Sequence, residues 1–178
     1  MMDTVRIRPA TPDDAAAIAF IYNAGIRERI ATFETEERTP DERRQWLAGH
    51  DAGHPVVVAT LPDTDGADAA EIVVGWASTD GYRPRACYAG IAEFSVYIHP
   101  EYRGQGIGKP LMGGLLAAAE RVGLWKLVSR VFVENTPSRA LLSRVGFREV
   151  GIYEKHGKLD GVWRDVVIVE RLIPANVD

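Results

Sequence analysis

Residues 97–112, YIHPEYRGQGIGKPLM, constrain this chain more than any other stretch. An apolar strand, Ile91 to Ile98, stops at His99-Pro100, since the residue before a proline is restricted in conformation. A loop with Gly104, Gly106 and Gly108 follows, and then a Leu- and Ala-rich helix. Glycines carry no Cβ, so the backbone can come close to a ligand. The amides of the first helical turn have no partner inside the helix, and they favour negative charge. Arg103 and Lys109 add positive charge to the same spot. The physical reading is a cradle for a diphosphate between a strand and a helix. A plain Gly-rich turn fits the same letters. RGQGIG matches neither the six-residue dinucleotide fingerprint nor the GK[ST] ending of a nucleotide P-loop.

The rest of the chain predicts a mixed α/β sheet in one domain, residues 1–178. Val5 to Arg8 reads as a short strand. Thr11-Pro12-Asp13-Asp14 reads as a helix start, followed by Ile18, Ile21, Tyr22 and Ile26 at helical spacing. Thr39-Pro40 starts a second helix, with Trp46 and Leu47 as expected buried anchors. Pro55–Thr60 and Glu71–Ser78 are strands of a hairpin around the polar turn LPDTDGADAA, and Gly81–Gly90 is a loop or interrupted strand. Gly108–Val122 is a helix in which Gly113 and Gly114 allow close packing. Lys126–Val133 is a strand, a helix runs from Asn135 to about Gly146, and strands Phe147–Tyr153 and Val162–Leu172 flank a turn at Gly157–Gly161.

Composition excludes several classes. A net charge of −4 with no long basic run argues against sequence-independent nucleic-acid binding. The single cysteine, Cys87, excludes an intrachain disulfide and a cysteine-cluster zinc site. No metal site is expected. No apolar run approaches the roughly 18 residues of a membrane span, and the N-terminal residues lack a secretory pattern, so a cytoplasmic location is expected.

The pattern V-Y-[IV]-x-P-x-[YH]-[RQ]-G-x-G-[IL]-G, met here from Val96 to Gly108, resembles the acetyl-CoA loop of the GNAT superfamily. Asn135-Thr136-Pro137-Ser138 resembles that family's second cofactor contact, and Gly146-Phe147 its usual helix end. The resemblance implies a GNAT acyl-CoA N-acyltransferase fold with acetyl-CoA as cosubstrate. It implies that Val96, Tyr97 and Ile98 lie along the pantetheine arm. Arg103, Gly104, Gln105, Gly106, Ile107, Gly108 and Lys109 would hold the pyrophosphate, with Asn135 and Ser138 facing the cofactor.

Three stretches, IYNAGIRERIATFETEERT, AEFSVYIHPEYRGQGIG and YEKHGKLDGVWRDVVIVERLI, narrow the resemblance. They look like the phosphinothricin and methionine sulfoximine N-acetyltransferases, and more still like the arsinothricin-resistance branch. That implies the α-amine of a small glutamate-like amino-acid analogue as acceptor, a detoxification role, and a homodimer. Phe33, Glu34 and Thr35 fall in the region that lines the acceptor pocket in such enzymes, though Phe33 reads equally as core. Arg83 and Arg85 sit two apart, so an extended chain would turn both to one side as a clamp for acidic groups. Two solvated loop arginines are the plainer alternative.

The chemistry needs a base for an ammonium group that is mostly protonated at neutral pH. Glu93, inside the apolar run IAEFSVYI, fits that role, and partial burial would raise its pKa. The related enzymes carry a catalytic Glu here; an exposed strand glutamate is the alternative. They also place a His after the Asn-x-Pro-Ser motif, where this chain has Leu142. The proton donor for the leaving thiolate therefore stays open among Tyr97, His99, Tyr153, His156 and water, with His156 in a loop near the acceptor site of family members. Other readings are a GNAT enzyme for a different amine, such as a protein N-terminus, or a non-catalytic acyl-CoA sensor.

Overall fold

The computed structural model describes residues 5–63 and 70–177. Seven strands form one sheet in the order β1-β2-β3-β4-β5-β7-β6. They are β1 (Arg6–Pro9), β2 (Val56–Pro62), β3 (Glu71–Gly81), β4 (Ile91–Ile98), β5 (Lys126–Phe132), β6 (Arg148–Leu159) and β7 (Val162–Leu172). Only β4 and β5 run parallel; every other neighbouring pair is antiparallel. The expected β2–β3 hairpin is present, while residues 64–69 of its polar turn lie outside the described residues.

Strand alternation sends side chains to two cores. On one face Val58, Val73 and Trp76 meet Ile18, Ile21, Tyr22 and Ile26 of α1 (Ala15–Glu28). On the other, Val57, Ala59 and Val74 meet Leu111, Met112 and Leu115 of α3 (Gly108–Arg121), with Leu142 of α4 (Thr136–Arg144). Gly114 allows the close packing expected of it: a Cβ there would stand 2.3 Å from Ile7 Cγ2, whereas Gly113 faces open space.

Both helix starts are present, by different means. Thr39 opens α2 (Pro40–Gly49) with a reciprocal box: its hydroxyl accepts the Glu42 amide at 3.2 Å and its amide donates to the Glu42 carboxylate at 2.6 Å. At Thr11 the Asp14 carboxylate takes both the amide and the hydroxyl, and a 3-10 turn (Pro12–Asp14) precedes α1. Trp46 and Leu47 are only half-buried, a correction to their reading as buried anchors. They pack against the α1-side core from α2, a helix with no fully buried residue.

The C-terminal hairpin also differs from expectation. β6 continues past Tyr153 to Leu159, and the turn narrows to Asp160-Gly161, both left-handed at φ 48° and 78°. That is the geometry an Asp-Gly pair favours in a two-residue hairpin. An irregularity between Tyr153 and Gly157 takes up the slack. Within it Lys155 is left-handed at φ 46°, and its amide donates to the Asp165 carboxylate at 2.7 Å.

Candidate active site

The site begins where two strands part. β4 and β5 pair only at Ile91–Lys126, Ala92–Leu127 and Glu93–Val128. Past that point side chains join the strands: Ser129 Oγ donates to the Phe94 carbonyl at 2.9 Å, and Arg130 pairs with Glu93. On its other edge β4 stays paired with β3 as far as Ile98. Backbone groups alternate along a strand, so with Phe94 turned toward β5, Val96 and Ile98 turn the same way. The backbone of Val96 therefore faces the opening.

On one side of the opening lies a cavity of about 640 Å³, floored by Val96, Tyr97 and Ile98. The loop residues Arg103, Gly104, Gly106, Ile107, Gly108 and Lys109 form its rim, and Asn135 and Ser138 close it from α4. Gly104 and Gly106 are left-handed at φ 73° and 83°, a conformation that L side chains rarely adopt. Arg103 stands at the rim with its charge already paired. It grips the Glu28 carboxylate at 2.7 and 2.8 Å and donates from Nε to the Ile98 carbonyl at 3.2 Å. Gln105 does not line the cavity; its side-chain amide donates to the Glu101 carbonyl at 2.8 Å. Asn135 caps α4, accepting the Ser138 amide at 3.3 Å. A long cavity with glycine-loop amides at a helix start and apolar walls from Ile107 and Leu141 suits the diphosphate and arm of coenzyme A.

On the other side lies a cavity of about 430 Å³ that brings together Phe33, Glu34, Glu93, Tyr97 and His156. Phe33 is both wall and core: it meets Phe132 edge-on at 4.7 Å. Gly157 keeps it there, since a Cβ at that position would come within 2.7 Å of the Phe33 ring. Glu34 pairs with Arg38 at 2.9 Å, while Thr35 is exposed and outside the cavity. A void of about 80 Å³ lies between the two cavities, sharing Ser129 and Arg130 with one and Asn135 and Ser138 with the other.

Two residues of this cavity, Arg130 and Asp80, are not singled out by the sequence. Glu93 is half-buried and ion-paired with Arg130 of β5, which also lines the cavity. Arg130 stands in the apolar run KLVSRVFV as Glu93 stands in IAEFSVYI, so the same signal was available. Asp80, across the sheet from Glu93, holds His50. His50 Nε2 lies 3.2 Å from that carboxylate and 3.0 Å from the Thr79 carbonyl, and Nδ1 lies 3.1 Å from the Trp46 carbonyl. The bond to Asp80 outweighs partial burial and raises His50 to about 9, so it carries charge at neutral pH.

The remaining candidates separate. Burial pushes the Tyr97 hydroxyl up, against a hydrogen bond from Thr32. Leu142 is buried beside the small void and offers no proton. His99 stacks on Phe20 at 5.1 Å and accepts the Glu101 amide at 3.2 Å, which is structural work. His156 packs on Tyr153 at 4.8 Å. Arg83 and Arg85 lie beyond the end of β3 at Gly81, where the chain bends at Pro84-Arg85 before a 3-10 segment (Ala86–Tyr88). Arg83 lies over Tyr82 at 5.1 Å and Arg85 over Tyr88 at 5.8 Å; both are exposed, and neither lines the cavity. The described residues hold no cluster of three or more metal-ligating side chains, and no helix among them is long and apolar enough to cross a membrane.

Residues 4–148 match the family model described as the acetyltransferase (GNAT) domain. The chain is 34% identical to a phosphinothricin N-acetyltransferase of Streptomyces coelicolor, covering 94% of this chain and 95% of that one. It is 31% identical to an L-methionine sulfoximine/L-methionine sulfone acetyltransferase of Pseudomonas paraeruginosa, with 92% of each covered. Among solved structures, a GNAT superfamily phosphinothricin acetyltransferase from Sinorhizobium meliloti in complex with AcCoA superposes with a TM-score of 0.82 at 29% identity. That match covers 96% of this chain and 89% of that one. With the seven-stranded sheet, the parted strands and the glycine loop, these matches make the chain a member of the GNAT family of acetyl-CoA-dependent acetyltransferases.

Proposed function

We propose that this enzyme acetylates the α-amine of a glutamate-like amino-acid analogue (arsinothricin, phosphinothricin or methionine sulfoximine) as a detoxification step. The observation that carries the reading is the parting of β4 and β5 at Glu93–Val128, with a carboxylate in the cavity on one side and a glycine-rim cavity on the other. Homologues bearing phosphinothricin and methionine sulfoximine in their names support the acceptor class.

Bound acetyl-CoA supplies the acetyl group as an activated thioester. Glu93 takes the proton from the acceptor's ammonium group and leaves the amine nucleophilic. The Val96 amide, facing the opening, donates to the carbonyl oxygen as negative charge develops there. The two cavities hold the reactants against each other across the gap, so positioning contributes to the rate. With Leu142 where the related enzymes carry a His, α4 offers no imidazole to protonate the thiolate. Tyr97 lines both cavities with a hydroxyl that burial keeps protonated, which supports it as the hydrogen-bond donor.

The resemblance also implies Arg83 and Arg85, exposed on the loop after β3 and outside the cavity lining, as contacts for the side-chain head group of the acceptor. A homodimer through β6 and β7 is supported by Ile152, Tyr153, Val162 and Trp163, each more than half exposed. A cytoplasmic location accords with dependence on acetyl-CoA. Thiol release from acetyl-CoA, measured with the three analogues and with glutamate, tests the reading. Saturable turnover of at least one analogue is expected. Turnover of none removes the acceptor class, and cofactor binding without any transfer identifies a sensor instead.

A further inference from the structure

We propose that Arg130 is the specificity residue for the acceptor's α-carboxylate, so that the Glu93–Arg130 pair forms one receptor for a free amino-acid head group. The inference rests on the reading of the acceptor as an amino-acid analogue and names what that reading lacks, a partner for the carboxylate beside the reacting amine. Arg83 and Arg85, the cations expected for acidic groups, do not line the acceptor cavity. Arg130 is the one lysine or arginine among the described residues that line it. The other carboxylates there have their own cations: Glu34 has Arg38, and Asp80 has His50.

The geometry suits the task. Arg130 and Glu93 come from the two strands that part, β5 and β4, and their side chains are 44% and 36% exposed, open to an incoming ligand. Arg130 reaches Glu93 through Nη2 alone, to Oε1, so the guanidinium keeps further donors and the carboxylate a second oxygen. An amino acid presents an ammonium and a carboxylate on one carbon. The ammonium meets the Glu93 carboxylate, and the carboxylate meets the Arg130 guanidinium, so each charge finds its opposite in a single docking step. A peptide N-terminus has a neutral carbonyl where the carboxylate would be and leaves the guanidinium without an anionic ligand.

The experiment compares kcat/KM for L-methionine sulfoximine and its α-carboxamide in wild type, Arg130→Met and Arg130→Lys. Acetyl-CoA KM and thermal stability are recorded for each protein as checks on folding. Wild type should prefer the acid by about 10²-fold. In Arg130→Met both substrates suffer, because Glu93 loses its partner, but the acid suffers far more and the ratio falls toward one. Arg130→Lys should retain an intermediate ratio, since a point charge replaces a fork. An equal fall on both substrates in Arg130→Met, with the ratio preserved, would reduce Arg130 to a support for Glu93 and overturn the proposal. A wild-type ratio near one would also overturn it and leave the acceptor class standing. Turnover of neither compound nor of the other analogues would remove the acceptor class, and this inference with it.

Discussion

Asp80 of β3 stands directly across from Glu93 of β4, and each carboxylate has a different cation, His50 for Asp80 and Arg130 for Glu93. Two acids side by side in one cavity would repel each other. Here α2 brings one cation from the helix layer and β5 brings the other from within the sheet.

The His50 contact makes stability depend on pH in a stated direction. His50 rises from its ordinary 6.5 to about 9 in the fold, through its bond to Asp80. Its contribution is complete below about pH 6.5 and is lost as pH climbs through 9. Melting temperature should fall across that window by several degrees in wild type. His50→Gln should flatten that limb; an unchanged limb in the variant would remove His50 as its source.

At the opposite end of the pH scale, Asp14 is 5% exposed and gripped by Arg8 at 2.8 and 2.9 Å. Burial works to raise its carboxyl, but the bonds from Arg8 and Thr11 outweigh this and hold it below the usual range. Its contribution is present above about pH 4 and fades as pH falls through the depressed value. Asp14→Asn should cost about 2–4 kcal/mol in urea unfolding at neutral pH and flatten the acid limb. A loss under half of that would mean that Glu71, the other partner of Arg8, suffices.

Gly106 tests the cradle separately from the chemistry. Its φ of 83° suits glycine, and alanine there costs about 1–2 kcal/mol of strain. Gly106→Ala should weaken acetyl-CoA binding about tenfold and leave acceptor KM nearly unchanged. Calorimetry with acetyl-CoA and steady-state kinetics check the two halves, and unchanged cofactor affinity would count against the loop.

Arg83→Ala and Arg85→Ala bear on the rim. Each should raise acceptor KM about tenfold and acetyl-CoA KM far less. Equal effects on both would show that the arginines do not hold the acceptor.

Much of this was legible from local pattern. The strand, loop and helix from Ile91 to Arg121 stand where the glycine spacing and the His99-Pro100 break put them. Glu93 was visible as a charge in an apolar run, and it does line a cavity. Contacts between distant segments were not legible. The partners Glu28–Arg103, Glu93–Arg130 and His50–Asp80 join different elements, and no local period announces such pairs. The expected clamp of Arg83 and Arg85 is not seen at the cavity: β3 ends at Gly81, the chain bends at Pro84-Arg85, and both side chains lie on neighbouring tyrosines. β6 runs on to Leu159 because Asp160-Gly161 alone, both left-handed, closes a hairpin for which the sequence suggests a longer turn.

The most direct measurement pairs binding with turnover in Glu93→Gln. Transfer from acetyl-CoA to L-methionine sulfoximine should fall by about 10³-fold, while calorimetry returns an acetyl-CoA affinity within twofold of wild type. Near-wild-type transfer by this variant would contradict the account, because the carboxylate at the parting of β4 and β5 would then not be the base.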